Sequence, residues 1–214
     1  MGIDPGLAHT GWGVIETRGP VCRARAYGCV TTKASDSIDR RLGMIYEEIA
    51  QAIRSYAPSQ LAIEKIFFGE NTRSALATAH ARGAALVACS EAGLELGEYT
   101  PMQIKQAVVG TGSADKRQVI YMVQNILALD HEPRPDHCAD ALAAAICHAN
   151  LTRTQRIARD VASVQVYEQQ LAQAEQDRSE ARDVTAAATA ARVARSRGER
   201  VPWEPTRQSR RNSS

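Results

Sequence analysis

A chain of 214 residues, 44% of them apolar and with a mean hydropathy of −0.32, can bury one substantial core. It has no run near the ~20 apolar residues of a membrane span, and its start lacks the basic head and apolar block of a secretory signal, so a cytoplasmic protein is expected. The net charge of +2 divides into −2 for residues 1–150 and +4 for residues 151–214, which hold twelve Arg, no Lys and eight acids. Overall charge therefore announces no nucleic-acid partner, and any such case rests on particular bases.

In chain order, GID ends at a Pro-Gly turn and is followed by WGVIET and RARAYGCVTT, which read as three antiparallel strands in a meander. Ile38, Leu42, Ile45, Ile49 and Ile53 recur at helical spacing and Pro58 closes the pattern, so this segment is an amphipathic helix. SQLAIEKIF reads as a buried strand, TRSALATAHARGAALVACSEAG as an Ala-rich helix and LELGEYTP as another strand. Two helices, MQIKQAVVG and KRQVIYMVQNILAL, flank the loop GTGSAD, and CADALAAAICHANL is a final apolar helix. Strands, then alternating strands and helices, imply an α/β fold with a mixed sheet covered on both faces.

The character changes near residue 151. Residues 1–150 are expected to form one domain and residues 151–214 an Ala/Arg-rich tail, helical over 152–197 and then disordered in RGERVPWEPTRQSRRNSS. The five cysteines, Cys22, Cys29, Cys89, Cys138 and Cys147, contain no CxxC pair and read as reduced, buried small hydrophobes.

Three acids stand at the edges of apolar elements. Asp4 precedes the Pro-Gly turn, Glu64 interrupts LAIEKIFF, and Asp140 lies in the first turns of an apolar helix, with His137 three and Asp136 four residues before it. Each has an ordinary alternative: Asp4 can hydrogen-bond its own turn, Glu64 can pair with a lysine, Asp136 can cap the helix and Asp140 can complement the helix dipole. Hard oxygen donors from separated elements are also what a Mg²⁺ site requires.

GIDPGLAHTGWGVI, AIEKIFFGEN, ARGAALVACSEAG, IKQAVVGTGSADK and DHCADALAAAICH, in this order, resemble the RuvC family of bacterial Holliday-junction resolvases from Gly2 to about residue 150. The resemblance implies an RNase H-like fold with a mixed five-stranded sheet flanked by helices, a homodimer, and metal-dependent resolution of four-way DNA junctions in recombination and repair, with the RuvAB branch-migration complex as partner. It implies Asp4, Glu64, His137 and Asp140 as metal ligands, His137 and not Asp136 having the family spacing. Mg²⁺ is the implied cofactor, with Mn²⁺ able to substitute and two ions per site. Lys105 and Lys116 match basic residues tied to DNA contact and catalysis, and Phe67 an aromatic used at the junction centre. The chain departs from the family in having Met1 directly before Gly2, so that the first strand is short, and in its longer tail.

Hydrolysis of a phosphodiester needs a nucleophilic water, relief of phosphate charge and a stabilised leaving oxygen, which paired divalent ions held by carboxylates supply. Lys116 would then stabilise phosphate charge; for it and for Lys105 the ordinary alternative is a solvated helix face. Phe67 and Phe68 are the only phenylalanines, and adjacent strand residues point to opposite faces, so one can close the core while the other meets unpaired bases. Arg73 and Arg82 on the following helix are expected phosphate contacts. Ala77, Ala81, Ala84, Ala85 and Ala88 suit either a dimer contact or packing within the chain. The rival readings are a fragment of an actin-like ATP-binding phosphotransferase, suggested by the Asp-x-Gly turn, and a junction-binding module that does not cleave.

Overall fold

The computed structural model describes residues 1–66 and 72–198, the side chains of 72–74 excepted. Five strands, β1 (Gly2–Asp4), β2 (His9–Arg18), β3 (Val21–Thr31), β4 (Gln60–Glu64) and β5 (Glu95–Tyr99), form one mixed sheet in the order β3-β2-β1-β4-β5. The first three are the expected antiparallel meander, and β4 and β5 add in parallel beside β1. The helices are α1 (Ile38–Tyr56), α2 (Thr72–Glu91), α3 (Pro101–Val109), α4 (Lys116–Leu127) and α5 (Asp136–Ser196).

Local chemistry sets several boundaries. Thr100 caps α3 and exchanges hydrogen bonds with Gln103, with Pro101 at the first helical position, where its missing N–H costs nothing. Asp115 and Gln118 make the same reciprocal box at the start of α4 and thereby set where Lys116 leaves the loop.

Strand alternation sorts the core onto two faces. Ile3, Trp12, Val14, Leu61 and Ile63 pack with Ile45, Ile49 and Ile53 of α1 and with Ala81, Ala85 and Ala88 of α2. Full burial of side chains such as Ile3, Ile45 and Ile63 stabilises the fold by about 1.5–3 kcal/mol each. Those α2 alanines therefore fill this chain's own core, and the side of α2 that faces away carries Leu76 and Val87, 58% and 53% exposed. Ala62 packs on the opposite face with Ile104, Val108, Val119, Val123, Leu127, Leu142 and Ile146 from α3, α4 and α5.

The helix α5 lies very close to that second face. A Cβ at Gly2 would come 2.0 Å from the Ala141 carbonyl oxygen, one at Gly11 1.9 Å from that of His137, and one at Gly13 2.6 Å from Leu142 Cδ2. At Gly2 and Gly11 strand and helix backbones therefore meet directly, and Gly13 makes room for the Leu142 side chain.

No Gly or Pro interrupts 136–197, and α5 accordingly continues past the apolar segment through the predicted solvated one. The chain divides into two compact units, Met1–Arg156 and Ile157–Ser214. The described part of the second is helix with nearly every side chain exposed; the end expected to be disordered lies almost wholly outside the described residues. Four of the five cysteines are buried and Cys29 is half-buried; all five are free. No helix among the described residues is long and apolar enough to cross a membrane.

Candidate metal centre

Asp4 is the last residue of β1 and Glu64 the last of β4. These strands are parallel neighbours with Gly2 opposite Ala62 and Ile3 opposite Ile63, so the two acids end adjacent strands at the same edge of the sheet. Ile3 and Ile63 point toward α1 and α2, which directs Asp4 and Glu64 to the α5 face. The turn after Asp4 is held by Thr10, whose hydroxyl donates to the Gly6 carbonyl at 2.7 Å and accepts from the Gly6 N–H at 3.4 Å. Asp4 is thereby left free to face the site.

The first turns of α5 complete the arrangement. His137 Nδ1 is 2.7 Å from Asp4 Oδ2, and since a carboxylate only accepts, Nδ1 donates. One donor atom from each of Asp4, His137 and Asp140 lies within 4.8 Å of the other two, close enough for all three to hold one divalent cation. Glu64 stands outside this trio but within reach of its charge.

Burial, and then the charges of Asp4 and Asp140, push the Glu64 carboxyl up to about 7, against which Lys105 acts weakly. Asp4 is also raised, chiefly by burial, with the His137 hydrogen bond opposing and Asp140 adding to the rise. Burial works against the Lys116 ammonium, but its hydrogen bond to Asp140 and the charges of Asp140 and Asp136 outweigh that and hold it above its ordinary value. Lys116 Nζ is 3.1 Å from Asp140 Oδ2 and 3.4 Å from Asp136 Oδ2. Carboxylates gathered this closely around one lysine are short of positive charge, and a hard cation would relieve the excess. The residues present therefore fit a divalent metal ion.

The other expected site residues divide. Lys105 is near enough to Glu64 to influence its proton. Arg82, expected as a phosphate contact, is engaged within the chain: its guanidinium donates to the Glu64 carbonyl oxygen at 2.6 Å and pairs with Glu98, and its side chain is 12% exposed. It anchors the end of β4 to β5 and α2. Phe67 and its neighbour Phe68 lie outside the described residues, as does the Arg73 side chain. Asp136 occupies the start of α5 but directs its carboxylate to Lys116.

Sequence reasoning passed over Thr10, Glu98 and His9. The His9 ring is stacked on His137 with centroids 5.4 Å apart and planes inclined by 19°. The signal available was alternation: His9, Gly11 and Gly13 share one face of β2, and two of the three lack side chains because α5 lies against them.

Residues 1–148 match the family model "Crossover junction endodeoxyribonuclease RuvC". A relative of that name from Moorella thermoacetica is 45% identical over 162 residues, covering 76% of this chain and 97% of its own. One from Rubrobacter xylanophilus is 47% identical over 149 residues, covering 70% and 83%. Among solved structures, Thermus thermophilus RuvC in complex with Holliday junction substrate superposes with a TM-score of 0.69 at 39% identity, covering 72% of this chain and 94% of that one. The mixed sheet with its flanking helices is thus the RNase H-like fold of those structures. Five strands in this order, acids ending β1 and β4 against a His-Asp pair on α5, and a match spanning residues 1–148 place this chain in the RuvC family of crossover junction endodeoxyribonucleases.

Proposed function

We propose that this protein is a structure-selective endonuclease that resolves four-way DNA junctions by paired symmetric nicks, in the cytoplasm, during homologous recombination and repair. The observation that carries the reading is the convergence of Asp4, His137 and Asp140 at one end of the sheet, in a chain that matches the family over residues 1–148. Residues 1–150 are the nuclease domain, and residues 151–214 an appendage outside it.

Asp4, Glu64, His137 and Asp140 would hold Mg²⁺ or Mn²⁺, two ions per site. Bound there, the ions supply Lewis acidity at the attacking and leaving oxygens of the phosphodiester. The chain's own groups do the rest. Asp4 fixes the tautomer of His137 by accepting from Nδ1. Lys116, held between Asp136 and Asp140, keeps a positive charge beside the reacting phosphate, where a positioned charge is worth more than in water. Arg82 holds the β4 end that carries Glu64. Lys105 and Arg73 contact the DNA backbone, and Phe67 stacks on bases opened at the junction centre.

A homodimer suits a substrate with two-fold symmetry, because two identical sites then meet two like strands. Leu76 and Val87, eleven residues apart on the outward side of α2, supply an apolar surface for it. The RuvAB complex would bring cleavable sequences to the site by moving the branch point.

The test is cleavage of a synthetic four-way junction labelled in turn on each strand. In Mg²⁺ the full-length protein should nick two strands of like polarity at symmetric positions, leave linear duplex uncut and hydrolyse no ATP. Binding without nicking in either metal, or equal cutting of linear duplex, would overturn the reading.

A further inference from the structure

His9 is exposed at the start of β2, yet its ring is held on two sides. Its Nδ1 is 3.3 Å from the hydroxyl of Thr31, its register partner on β3. One face of its ring lies on His137, with centroids 5.4 Å apart and planes 19° from parallel. Two residues further along the same face of β2, Gly11 lets the His137 backbone approach until a Cβ would stand 1.9 Å from its carbonyl oxygen. His137 is therefore confined at three points: its backbone by Gly11, its Nδ1 by Asp4 and its ring face by His9. The Asp4 hydrogen bond holds one ring atom of the imidazole; a flat ring laid against it limits its tilt as well.

We propose that His9 is a positioning residue for the cleavage reaction, its ring serving as a plate that fixes the plane of His137. The inference rests on the reading of His137 as part of the cleavage site. His9 acts through His137 and carries no ligand or proton itself. A flat aromatic of similar size can do the same, whereas a side chain that keeps only the hydrogen bond to Thr31 cannot.

The test uses full-length His9→Ala, His9→Phe and His9→Asn, with His137→Ala as reference. The first measurement is the ¹³C relaxation of the His137 ring C–H bonds in metal-free protein, without DNA. The parent should show the His137 ring as rigid as the surrounding backbone. His9→Ala and His9→Asn should lower its order parameter, and His9→Phe should restore it. The second measurement is single-turnover cleavage of a four-way junction. His9→Ala and His9→Asn should lower the rate about tenfold or more, as expected when a reacting group is misplaced, with junction affinity and melting temperature unchanged, and His9→Phe should recover most of it. Equal loss in His9→Phe and His9→Ala would show that a ring nitrogen matters and overturn the plate. So would weakened junction binding, which would make His9 a DNA contact, or an unchanged His137 order parameter in His9→Ala. Normal cleavage by His137→Ala would instead remove the reading on which the proposal rests, a result separable from the relaxation measurement.

Discussion

His137 and Asp4 are 133 positions apart in the chain and 2.7 Å apart through Nδ1 and Oδ2. The contact joins the N-terminal turn of α5 to the end of the central strand, which between them carry three of the four proposed metal ligands. It also separates His137 from Asp136, since Asp136 turns to Lys116.

Three variants test that separation. His137→Ala should nearly abolish junction cleavage. His137→Asp should restore activity with a stronger preference for Mg²⁺ over Mn²⁺, because an oxygen donor suits Mg²⁺ better than imidazole does. Asp136→Ala should keep most activity and cost no more than about 1 kcal/mol, since its pairing with Lys116 is half exposed and Asp140 retains that lysine. Rates for all three in each metal decide it; an inactive, folded Asp136→Ala beside an active His137→Ala would reverse the assignment.

Glu64 gives a pH dependence of definite sign. Its folded value of about 7 lies above the ordinary 4.5, so between these pH values the folded protein binds more protons than the unfolded one. Stability of the metal-free protein then falls as pH rises from 4.5 through 7, and the loss is complete above that. Glu64→Gln should remove this slope and, at pH 8, raise stability by about 1 kcal/mol once solvent screening is allowed for. Mg²⁺ at a hundredfold excess over its dissociation constant should stabilise the parent by about 2.7 kcal/mol and the variant by clearly less. Thermal melts from pH 4 to 8, with and without Mg²⁺, measure both effects. In the cleavage assay Glu64→Gln and Asp4→Asn should each lose about 10²-fold or more with junction binding retained.

Lys116→Ala should slow cleavage by about 10²-fold, the usual cost of losing one positioned electrostatic stabiliser, with little change in melting temperature. Lys116→Arg should recover part of the rate. Full activity in the alanine variant would return Lys116 to a solvated surface.

Arg82→Ala leaves the Glu64 carbonyl without its donor and Glu98 without its partner in a half-buried place, and should cost about 1–3 kcal/mol of stability. A phosphate contact would instead show unchanged stability and a shallower salt dependence of junction binding, by roughly one per lost contact. Melting curves and salt titrations of one variant distinguish the two.

Deletion of 157–214 should leave a folded nuclease that cleaves junctions, because the sheet and the acids belong to the unit Met1–Arg156. Loss of folding would move the domain boundary.

What could be read from the sequence follows from what each signal encodes. Asp4, Glu64 and Asp140 were visible because each breaks or borders an apolar run, and a carboxylate there needs a reason. The strand and helix order was visible because punctuation by Pro5, Pro58 and Gly110 coincides with changes of period. The alanines of α2 were ambiguous for a physical reason: with small residues on every side, the helix has no apolar stripe to say which face turns inward, and Ala81, Ala85 and Ala88 proved to face α1 and the sheet. Arg82 looked like any surface base, since nothing local reveals that Glu98 and the Glu64 carbonyl meet it from two strands. His9 was hidden because stacking depends on how α5 crosses β2, which only the assembled sheet defines. The Asp136–His137 choice was open on spacing alone and rested on the family resemblance.

The seating of α5 on Gly2 and Gly11 has a mechanical consequence. Where side chains separate two elements, rotamer changes act as springs, and the gap breathes with heat and pressure. Main chain laid on main chain has no rotamer to change and is nearly incompressible. The distance from the strand-borne Asp4 to the helix-borne His137 and Asp140 should therefore hold steady as temperature rises, until the helix lifts away as a unit. On warming, the proposed site should end abruptly, at full alignment, rather than drift out of tune.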